Sequence, residues 1–327
     1  MESGNEDAIS GGFLKVLLAV LAIRNTDMKM NSSRTFNIAL VQMAMSADTK
    51  NNIASAKKAV KSASKKNADL CILPELFTNR YVGQFEDVRS VMAQLPDHES
   101  IIQQFKEISK DESIATVVPH VEILDIDSCY NSEVLIDKKG KVIAHYRKLH
   151  IPNGAGYHED YYFKQGDQGY VVANLGGIKI GLGICWDQWF PEFARILALK
   201  GAQLIVYPSA IGSEIAEPEY DSHPSWEHVM RAQAIMNRVF VAAVNRIGQE
   251  EIIRFYGGSF VADPWGNVMK RASLTEPGII LASLDLSQIS NARRFFGFLD
   301  TRRPDTYDDL IREDIVPLHA KEKTERR

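Results

Sequence analysis

Apolar runs and amphipathic stretches alternate along most of this chain, and such alternation predicts strands and helices in turn. Residues 35–43, 69–73 and 114–120 are short apolar runs typical of buried strands. Between them, residues 51–68 and 101–110 carry apolar side chains at helical spacing, and the lysines of the first segment fall on its solvated face. This order of elements predicts one α/β domain.

The later part of the chain continues the pattern and adds hairpins. Residues 130–136 and 142–145 predict one hairpin, because the two short strands flank a turn-forming segment. Residues 259–262 and 268–271 predict a second for the same reason. The remaining predicted elements are a helix at 226–237 and strands at 239–245 and 278–284.

The segment 177–209 combines strand, turn, helix and strand, and Cys185 stands at its first turn. Residues 178–184 form an apolar run, Pro191 stands where a helix can begin, and Gly201 ends that helix. A side chain at such an elbow projects from the carboxyl edge of a sheet, where α/β proteins place their sites. The N–H groups that follow favour a thiolate and can bind a developing oxyanion. A lone cysteine is nevertheless more often a buried structural residue.

Two other polar residues, Glu75 and Lys148, also follow predicted strands. Taken alone, each is more often a solvated loop residue. Together with Cys185 they are the groups that acyl transfer through a thioester requires. A thiol with a reference pKa of about 8.5 needs a base at neutral pH, and a partly buried carboxylate can serve. An ammonium and a backbone N–H can stabilise the oxygen of the tetrahedral intermediate.

Composition narrows the class of partner. The 327 residues carry a formal net charge of −4, so no basic field attracts nucleic acid or an anionic membrane, and small-molecule chemistry is expected. Cys71, Cys129 and Cys185 lack paired spacing, so neither a disulfide framework nor a zinc ribbon is indicated. A reducing compartment, the cytoplasm, is expected.

The chain ends predict extensions outside a central domain. The apolar run at residues 13–23 is too short to span a bilayer, which takes about 20 residues. Secretion is not favoured, because acidic residues stand where a signal peptide is basic. Removal of residues 1–30 is expected to leave folding and activity intact. The predicted division is an N-terminal extension at 1–33, a main domain at 34–290 and a C-terminal extension at 291–327 that packs on a neighbour or the surface.

Three motifs make the chain resemble the carbon–nitrogen hydrolases of the nitrilase superfamily. They are LPELF around Glu75, YRKLHIP around Lys148 and GICWDQWFPE around Cys185, in that family's order. Within the family the likeness is greatest to the N-carbamoylputrescine amidases, through YPSAIGSE, VNRIG, RFYGGSF and RRPDTYDDL. True nitrilases usually have Trp-Glu after the cysteine, whereas Trp186 is followed here by Asp187, which disfavours nitrile hydrolysis.

This resemblance implies an α/β fold built as a four-layer αββα sandwich, in which helices cover both outer faces of two sheets. It implies that Glu75 is the general base and later the acid, and that Cys185 attacks the carbamoyl carbon. Lys148 and the backbone N–H of Trp186 would hold the oxyanion, and Glu159 would orient Lys148 and accept from a substrate N–H. No cofactor and no metal are required, and homo-oligomers, either dimers or larger assemblies, are common in the family.

The residues near Cys185 favour a cationic substrate, N-carbamoylputrescine, hydrolysed to putrescine, ammonia and carbon dioxide in polyamine biosynthesis. No arginine directly follows the cysteine to pair a substrate carboxylate. An ammonium would instead suit acidic and aromatic side chains, through charge and cation–π contacts. The predicted substrate-binding residues are Tyr81, Tyr157, Asp187, Trp189 and Glu214, the last within an acidic loop at residues 214–219.

Two other functions stay open at this level. An amidohydrolase for N-carbamoyl amino acids or ω-amides would differ only in its pocket, and Arg80 could meet a carboxylate if it turned inward. A catalytically inactive oligomeric scaffold also fits the fold, although the joint presence of the four site residues argues against it. A zinc site at His223, Glu227 and His228 is disfavoured, because three residues separate the first histidine from the glutamate where inverted zincin motifs have two.

Overall fold

A computed structural model describes residues 35–85, 87–125 and 128–312 of the chain. The predicted N-terminal extension and the last part of the predicted C-terminal extension lie outside these residues. Within the described ranges, none of the helices has the length and apolar character needed to cross a bilayer.

The described residues form fourteen strands and six α-helices. The strands are β1 (Thr35–Gln42), β2 (Leu70–Ile72), β3 (Ala115–Asp125), β4 (Ser128–Ile136), β5 (Val142–Arg147), β6 (Val172–Leu175), β7 (Ile178–Leu182), β8 (Leu204–Ser209), β9 (Phe240–Asn245), β10 (Ile247–Glu250), β11 (Ile253–Tyr256), β12 (Phe260–Ala262), β13 (Val268–Arg271) and β14 (Gly278–Asp285). The helices are α1 (Thr49–Lys65), α2 (Val88–Met92), α3 (His98–Asp111), α4 (Pro191–Leu199), α5 (His223–Asn237) and α6 (Ser287–Phe295).

Two six-stranded sheets have the same succession of strand directions when the second is followed from β6 to β13. The first has the order β14-β1-β2-β3-β4-β5, with β1, β2 and β3 parallel and the other pairs antiparallel. The second has the order β13-β12-β9-β8-β7-β6, with β7, β8 and β9 parallel. Because two antiparallel steps separate β3 from β5, the carboxyl ends of β2 and β5 lie at the same edge of the first sheet. Glu75 and Lys148 follow these two strand ends.

The layers are helices, sheet, sheet and helices. Apolar residues of α1 and α3, such as Val60 and Phe105, pack on the outer face of the first sheet. Inner residues of the first sheet, such as Leu40, share one core with the second sheet and with α4 and α5, which contribute Phe193 and Trp226. The predicted four-layer αββα sandwich is confirmed.

Most predicted elements are present, and their ends are fixed by local chemistry. The carboxylate of Asp48 accepts the backbone N–H groups of Lys50 and Asn51, so α1 begins two residues earlier than predicted. Both predicted hairpins form, as β4-β5 and β12-β13. The elements missed by the sequence pattern are short: β6, the two-stranded sheet β10-β11, α2 and α6.

Candidate active site

Cys185 lies where β7 gives way to a short 3-10 helix, Cys185–Trp189, which leads into α4. Its φ of 40° is in the left-handed region, an uncommon conformation for a residue with a side chain. Gly183 allows this turn, because a Cβ there would lie 2.5 Å from the ring of Phe193. The backbone N–H of Trp186 is in the first turn of the short helix, where N–H groups have no carbonyl partner within the helix. The sequence thus builds the predicted elbow.

Glu75, Lys148 and Glu159 form one buried ionic cluster. The Lys148 Nζ donates to Glu75 Oε1 at 2.8 Å and to both Glu159 oxygens at 2.8 and 2.7 Å. All three side chains are fully buried. The amide of Asn131 also donates to Glu75 Oε1, at 2.8 Å, and to Glu159 Oε2, at 3.2 Å. The remaining Glu75 oxygen, Oε2, has no hydrogen-bond partner among the described residues, so it is available to take a proton.

Burial and charge set the protonation of this cluster. Burial, followed by the charge of Glu75, raises the pKa of the Cys185 thiol well above its usual value, while Lys148 and the backbone N–H of Ala210 oppose the shift. Burial also raises the pKa of Glu75, although Lys148 acts in the opposite direction. Burial acts to lower the pKa of Lys148, but Glu159 and Glu75 more than compensate and raise it. The resting cysteine is therefore a neutral thiol that needs a neighbouring base, and the lysine stays charged.

A cavity of about 440 Å³ opens above the cysteine. Cys185 and Glu159 line it, whereas Glu75 and Lys148, which are hydrogen-bonded to each other, do not. Four of the five predicted substrate-binding residues line it, as do Trp186 and Glu217. Glu219, at the end of the acidic loop, does not. Among the described residues that line the cavity, none is arginine, lysine or histidine. The predicted lining residues that the structure places there are Tyr81, Tyr157, Trp189 and Glu214.

The sequence predicts that Asp187 binds the substrate, but the structure places it outside the cavity. Its side chain is fully buried and does not line the cavity. One oxygen accepts from Ile184 N at 2.9 Å and Tyr146 OH at 2.7 Å, and the other accepts from the backbone and ring nitrogens of His150 at 3.1 and 2.7 Å. With both oxygens occupied, Asp187 has no free acceptor for a substrate ammonium. It instead ties the Cys185 elbow to the chain on both sides of Lys148.

The structure also bears on two alternatives raised by the sequence, a carboxylate-binding Arg80 and a metal site. The Arg80 guanidinium pairs with Glu251 and does not line the cavity, so it is not placed to bind a substrate carboxylate there. In the ranges described, no three His, Cys, Asp or Glu side chains are grouped to hold a metal ion. Glu227 of the His-Glu-His sequence pairs with Arg231 and Arg271.

Glu133 is a buried carboxyl group next to the site. It lies on β4 opposite Tyr146 of β5 and is fully buried. Neither of its oxygens makes a hydrogen bond of normal geometry with a described residue, and only the nearby backbone N–H of Gly183 opposes the shift in its pKa. Burial, and then the charges of Asp187 and Glu75, raise the pKa of Glu133 well above its usual value.

The raised pKa predicts that Glu133 costs stability as pH rises. Protonated Glu133 is favoured in the folded state, so its contribution is fully present below the unfolded pKa of about 4.3 and is lost as pH increases through the folded pKa. Glu133→Gln should therefore leave the Tm near the parent value at about pH 4 and raise it by roughly 2–4 °C at about pH 8, the effect of about 1 kcal/mol in a large domain. Thermal unfolding at the two pH values measures this. Glu107→Gln, at an exposed position, is the control and should show no pH-dependent gain. Equal Tm differences for Glu133→Gln at both pH values would contradict the assignment.

Sequence patterns missed several residues that hold the site together. Asn131 lies on β4, far from all three motifs along the chain. Arg246, within VNRIG, donates to the backbone carbonyl of Glu75 at 2.7 Å. That motif supported the family resemblance but did not suggest a role, because the contact joins residues 171 positions apart.

The model of one protein family matches most of the chain. A family model described as "Carbon-nitrogen hydrolase" matches residues 37–294. The matched part includes the elbow, the ionic cluster and the cavity, and it ends within α6.

Two characterised relatives differ in their named activity. An N-carbamoylputrescine amidase from Solanum lycopersicum is 38% identical over 292 residues, which cover 86% of this chain and 97% of the relative. A citrullinase from Francisella tularensis subsp. tularensis is 36% identical over 281 residues, which cover 84% of this chain and 98% of the relative. Similarity alone does not choose between these two activities.

A solved structure has a similar fold and a reactive cysteine. It is a variant of the amidase from Nesterenkonia sp. AN1, with a TM-score of 0.72 and 26% identity. The match covers 85% of this chain and 98% of that chain. Its title describes covalent addition of the acetamide moiety of fluoroacetamide at the active site cysteine.

Proposed function

This chain belongs to the carbon–nitrogen hydrolase family, and from that premise we propose that it hydrolyses N-carbamoylputrescine to putrescine, ammonia and carbon dioxide. The reaction runs through a covalent intermediate on Cys185. The enzyme acts in the cytoplasm as a homo-oligomer and needs no cofactor.

The first half of the reaction joins the carbamoyl carbon to sulfur. Glu75 takes the proton of the Cys185 thiol as the sulfur attacks, and the resulting oxyanion is stabilised by Lys148 and the backbone N–H of Trp186. Glu75 then gives the proton to the departing amine, so putrescine leaves and a thiocarbamate remains on the cysteine. Burial raises the pKa of Glu75, and a shift in this direction suits both roles, because it brings the carboxyl group closer to the working pH at which acid and base catalysis are balanced.

The second half of the reaction restores the thiol. Glu75 takes a proton from water, whose oxygen attacks the thiocarbamate carbon, and the carbon–sulfur bond breaks with return of the proton to sulfur. The released carbamic acid decomposes to ammonia and carbon dioxide. Glu159 holds the Lys148 ammonium through two hydrogen bonds while its own orientation is fixed by the hydroxyl of Tyr81, which donates to it at 2.7 Å.

The charge of the cavity is the observation that carries the choice of substrate. Glu214 and Glu217 line it, together with the aromatic side chains of Tyr157 and Trp189, and no described lining residue carries a positive charge. A terminal ammonium would find acidic groups and aromatic faces there. A carboxylate would be desolvated without a partner, which is costly.

Citrulline is the informative competitor, because one relative is a citrullinase. Citrulline is N-carbamoylputrescine with an added carboxylate on the carbon that bears the ammonium. The acidic cavity favours the molecule without that group. The same argument disfavours N-carbamoyl-β-alanine, which has no ammonium and carries a carboxylate at the end of a shorter chain.

The proposal is tested by measuring ammonia release from N-carbamoylputrescine, citrulline and N-carbamoyl-β-alanine. We expect kcat/KM for N-carbamoylputrescine to exceed that for citrulline and N-carbamoyl-β-alanine by at least about 100-fold, which corresponds to about 2.8 kcal/mol. Equal or faster turnover of citrulline would move the assignment to that substrate. If none of the three compounds is turned over, the proposed specificity for carbamoyl substrates is refuted, whereas membership of the family is unaffected.

Glu214→Gln should weaken the recognition of the ammonium. Loss of a charged hydrogen-bond acceptor costs about 1.5–3 kcal/mol, so kcat/KM for N-carbamoylputrescine should fall by roughly 10–100-fold. Glu219→Gln is the matched control, because Glu219 belongs to the same loop but does not line the cavity. N-butylurea, which lacks the ammonium, should be turned over equally well by the parent and by Glu214→Gln. An equal loss with N-butylurea would show that Glu214 acts on something other than the ammonium.

A further inference from the structure

We propose that Arg246, together with Glu250, is a positioning residue that fixes the general base Glu75 against the second sheet, which carries Cys185. The proposal rests on the proposed function only for the role of Glu75 as base. Arg246 touches neither the cavity nor the thiol, so it would act through the chain that holds Glu75.

The Arg246 guanidinium binds the segment 75–81 at three carbonyl groups. One terminal nitrogen donates to Glu75 O at 2.7 Å and to Leu76 O at 2.9 Å. The other donates to Asn79 O at 3.2 Å and to Glu250 Oε1 at 2.8 Å. The side chain is fully buried. A planar guanidinium can reach several acceptors at once, whereas a lysine ammonium has one nitrogen and could not satisfy all of them.

Glu250 extends this contact to the far end of the same segment. Its second oxygen accepts from the backbone N–H of Tyr81 at 2.6 Å. Tyr81 in turn donates its hydroxyl to Glu159, which binds Lys148. The Arg246–Glu250 pair therefore holds both ends of the segment that begins with the base and ends with the residue orienting Glu159.

The segment needs an external support because its backbone is irregular. It follows β2 directly, and Leu76 has a φ of 48°, in the left-handed region that residues with side chains seldom adopt. The carbonyl of Glu75 receives its bond from Arg246 across 171 residues of sequence, and the carbonyl of Leu76 accepts from Arg246 in addition to the backbone N–H of Asn79 at 3.3 Å. A buried carbonyl without a partner would cost about 1–3 kcal/mol.

Arg246 also links the two sheets. It stands between β9 and β10, on the second sheet's side of the molecule, whereas Glu75 follows β2 of the first sheet. Cys185 follows β7 of the second sheet. Base and nucleophile thus come from different sheets, and the Arg246–Glu250 pair is a direct tie between them. A buried ion pair often adds little net stability to the folded state. Positioning of Glu75 therefore explains the Arg246–Glu250 pair better than stabilisation does.

The test uses Arg246→Lys, Glu250→Gln and the control Arg80→Lys. Arg80 lies in the same segment but pairs with Glu251 at the surface, with 41% of its side chain exposed. For each full-length protein we would measure kcat and KM for N-carbamoylputrescine, the Tm, and the rate at which iodoacetamide alkylates Cys185, located by peptide mass. Alkylation needs the base but not the proposed substrate, so it remains informative if the substrate assignment fails.

A misplaced base predicts a specific pattern. A shift of about 1 Å can cost on the order of 100-fold in rate. Arg246→Lys should therefore lower kcat by roughly 10–100-fold, leave KM within about 3-fold, and slow alkylation by a similar factor, while Arg80→Lys changes none of these. Glu250→Gln, which keeps Arg246, should lose roughly 3–10-fold in kcat and alkylation.

A merely structural role would lower the Tm of Arg246→Lys while kcat and alkylation of the folded protein stay within about 2-fold of the parent, and that result would overturn the proposal. If Arg246→Lys fails to fold, Glu250→Gln decides: a folded Glu250→Gln protein with parental kcat and alkylation would also overturn it.

Discussion

Replacing Cys185 with alanine is expected to abolish turnover, lowering ammonia release from N-carbamoylputrescine by about 10⁴-fold or more. Removal of a covalent nucleophile costs the whole two-step pathway, because no other group can form the intermediate. The Tm should change little, since the side chain is small and its replacement by alanine removes only one buried sulfur atom. Intact-mass spectra of quenched reactions should show a carbamoyl adduct on the parent and none on the variant.

Two further variants serve as comparisons, Cys185→Gly for the backbone conformation and Cys129→Ala as a control at another buried cysteine. Glycine adopts the left-handed region without a steric cost, so Cys185→Gly should be equally inactive but more stable than Cys185→Ala, given the φ of 40° at this position. Cys129 is a buried cysteine outside the cavity and ionic cluster, and its replacement should keep turnover within about 2-fold of the parent. Turnover above about 1% of the parent rate in Cys185→Ala would remove the cysteine from the mechanism.

Replacing Lys148 with methionine is expected to damage both stability and activity. The variant leaves the carboxylates of Glu75 and Glu159 buried without their common cation. Breaking a buried ion pair by removing one partner costs about 3–5 kcal/mol. The loss of the ammonium near the oxyanion should lower kcat by about 100–1,000-fold at any pH where the protein is folded. Thermal unfolding and ammonia release measure the two effects.

The stability loss in Lys148→Met should depend on pH. Without the ammonium, which acts to lower the pKa of Glu75, that pKa rises further, so Glu75 contributes stability that is present below its unfolded pKa and is lost as pH increases through the folded pKa. The Tm deficit should accordingly be larger at pH 8 than at pH 5. Lys164→Met, at an exposed lysine, is the control and should lack this trend. Adding Glu75→Gln should recover part of the Tm but none of the activity; a double variant less stable than Lys148→Met would contradict the charge argument.

The candidate active site takes residues from both sheets, and neither half of the chain contains all of them. Glu75, Lys148 and Asn131 come from the first sheet or its edge, and Cys185 comes from the second. The lysine is held by contacts across 73 residues to Glu75 but only 11 to Glu159. Chemistry in this site therefore depends on the distance between two stacked sheets, which is why Arg246 is the residue beyond the motifs that we would test first.

The sequence by itself determined most of the elements and indicated the candidate reacting groups. Alternating apolar runs and helical spacings located both hairpins, α1, α3, α4 and the buried strands, because these patterns reflect burial of residues that are near neighbours in the chain. Glu75, Lys148 and Cys185 each follow a predicted strand, and this position predicted that they lie at carboxyl edges of sheets, where α/β proteins place their sites. Short elements such as β6, with four residues, carry too few positions for a periodicity to appear.

Only the tertiary structure decided which polar residues line the cavity. Asp187 follows the cysteine by two residues, yet its side chain turns into the protein to bind Ile184, Tyr146 and His150. The acidic loop looked uniform in sequence, but Glu214 lines the cavity and Glu219 does not. Local sequence specifies which residues are adjacent along the backbone, whereas the direction of a loop side chain depends on contacts with distant segments that form when the sheets pack. The Arg246 contact with Glu75, across 171 residues, exists for the same reason.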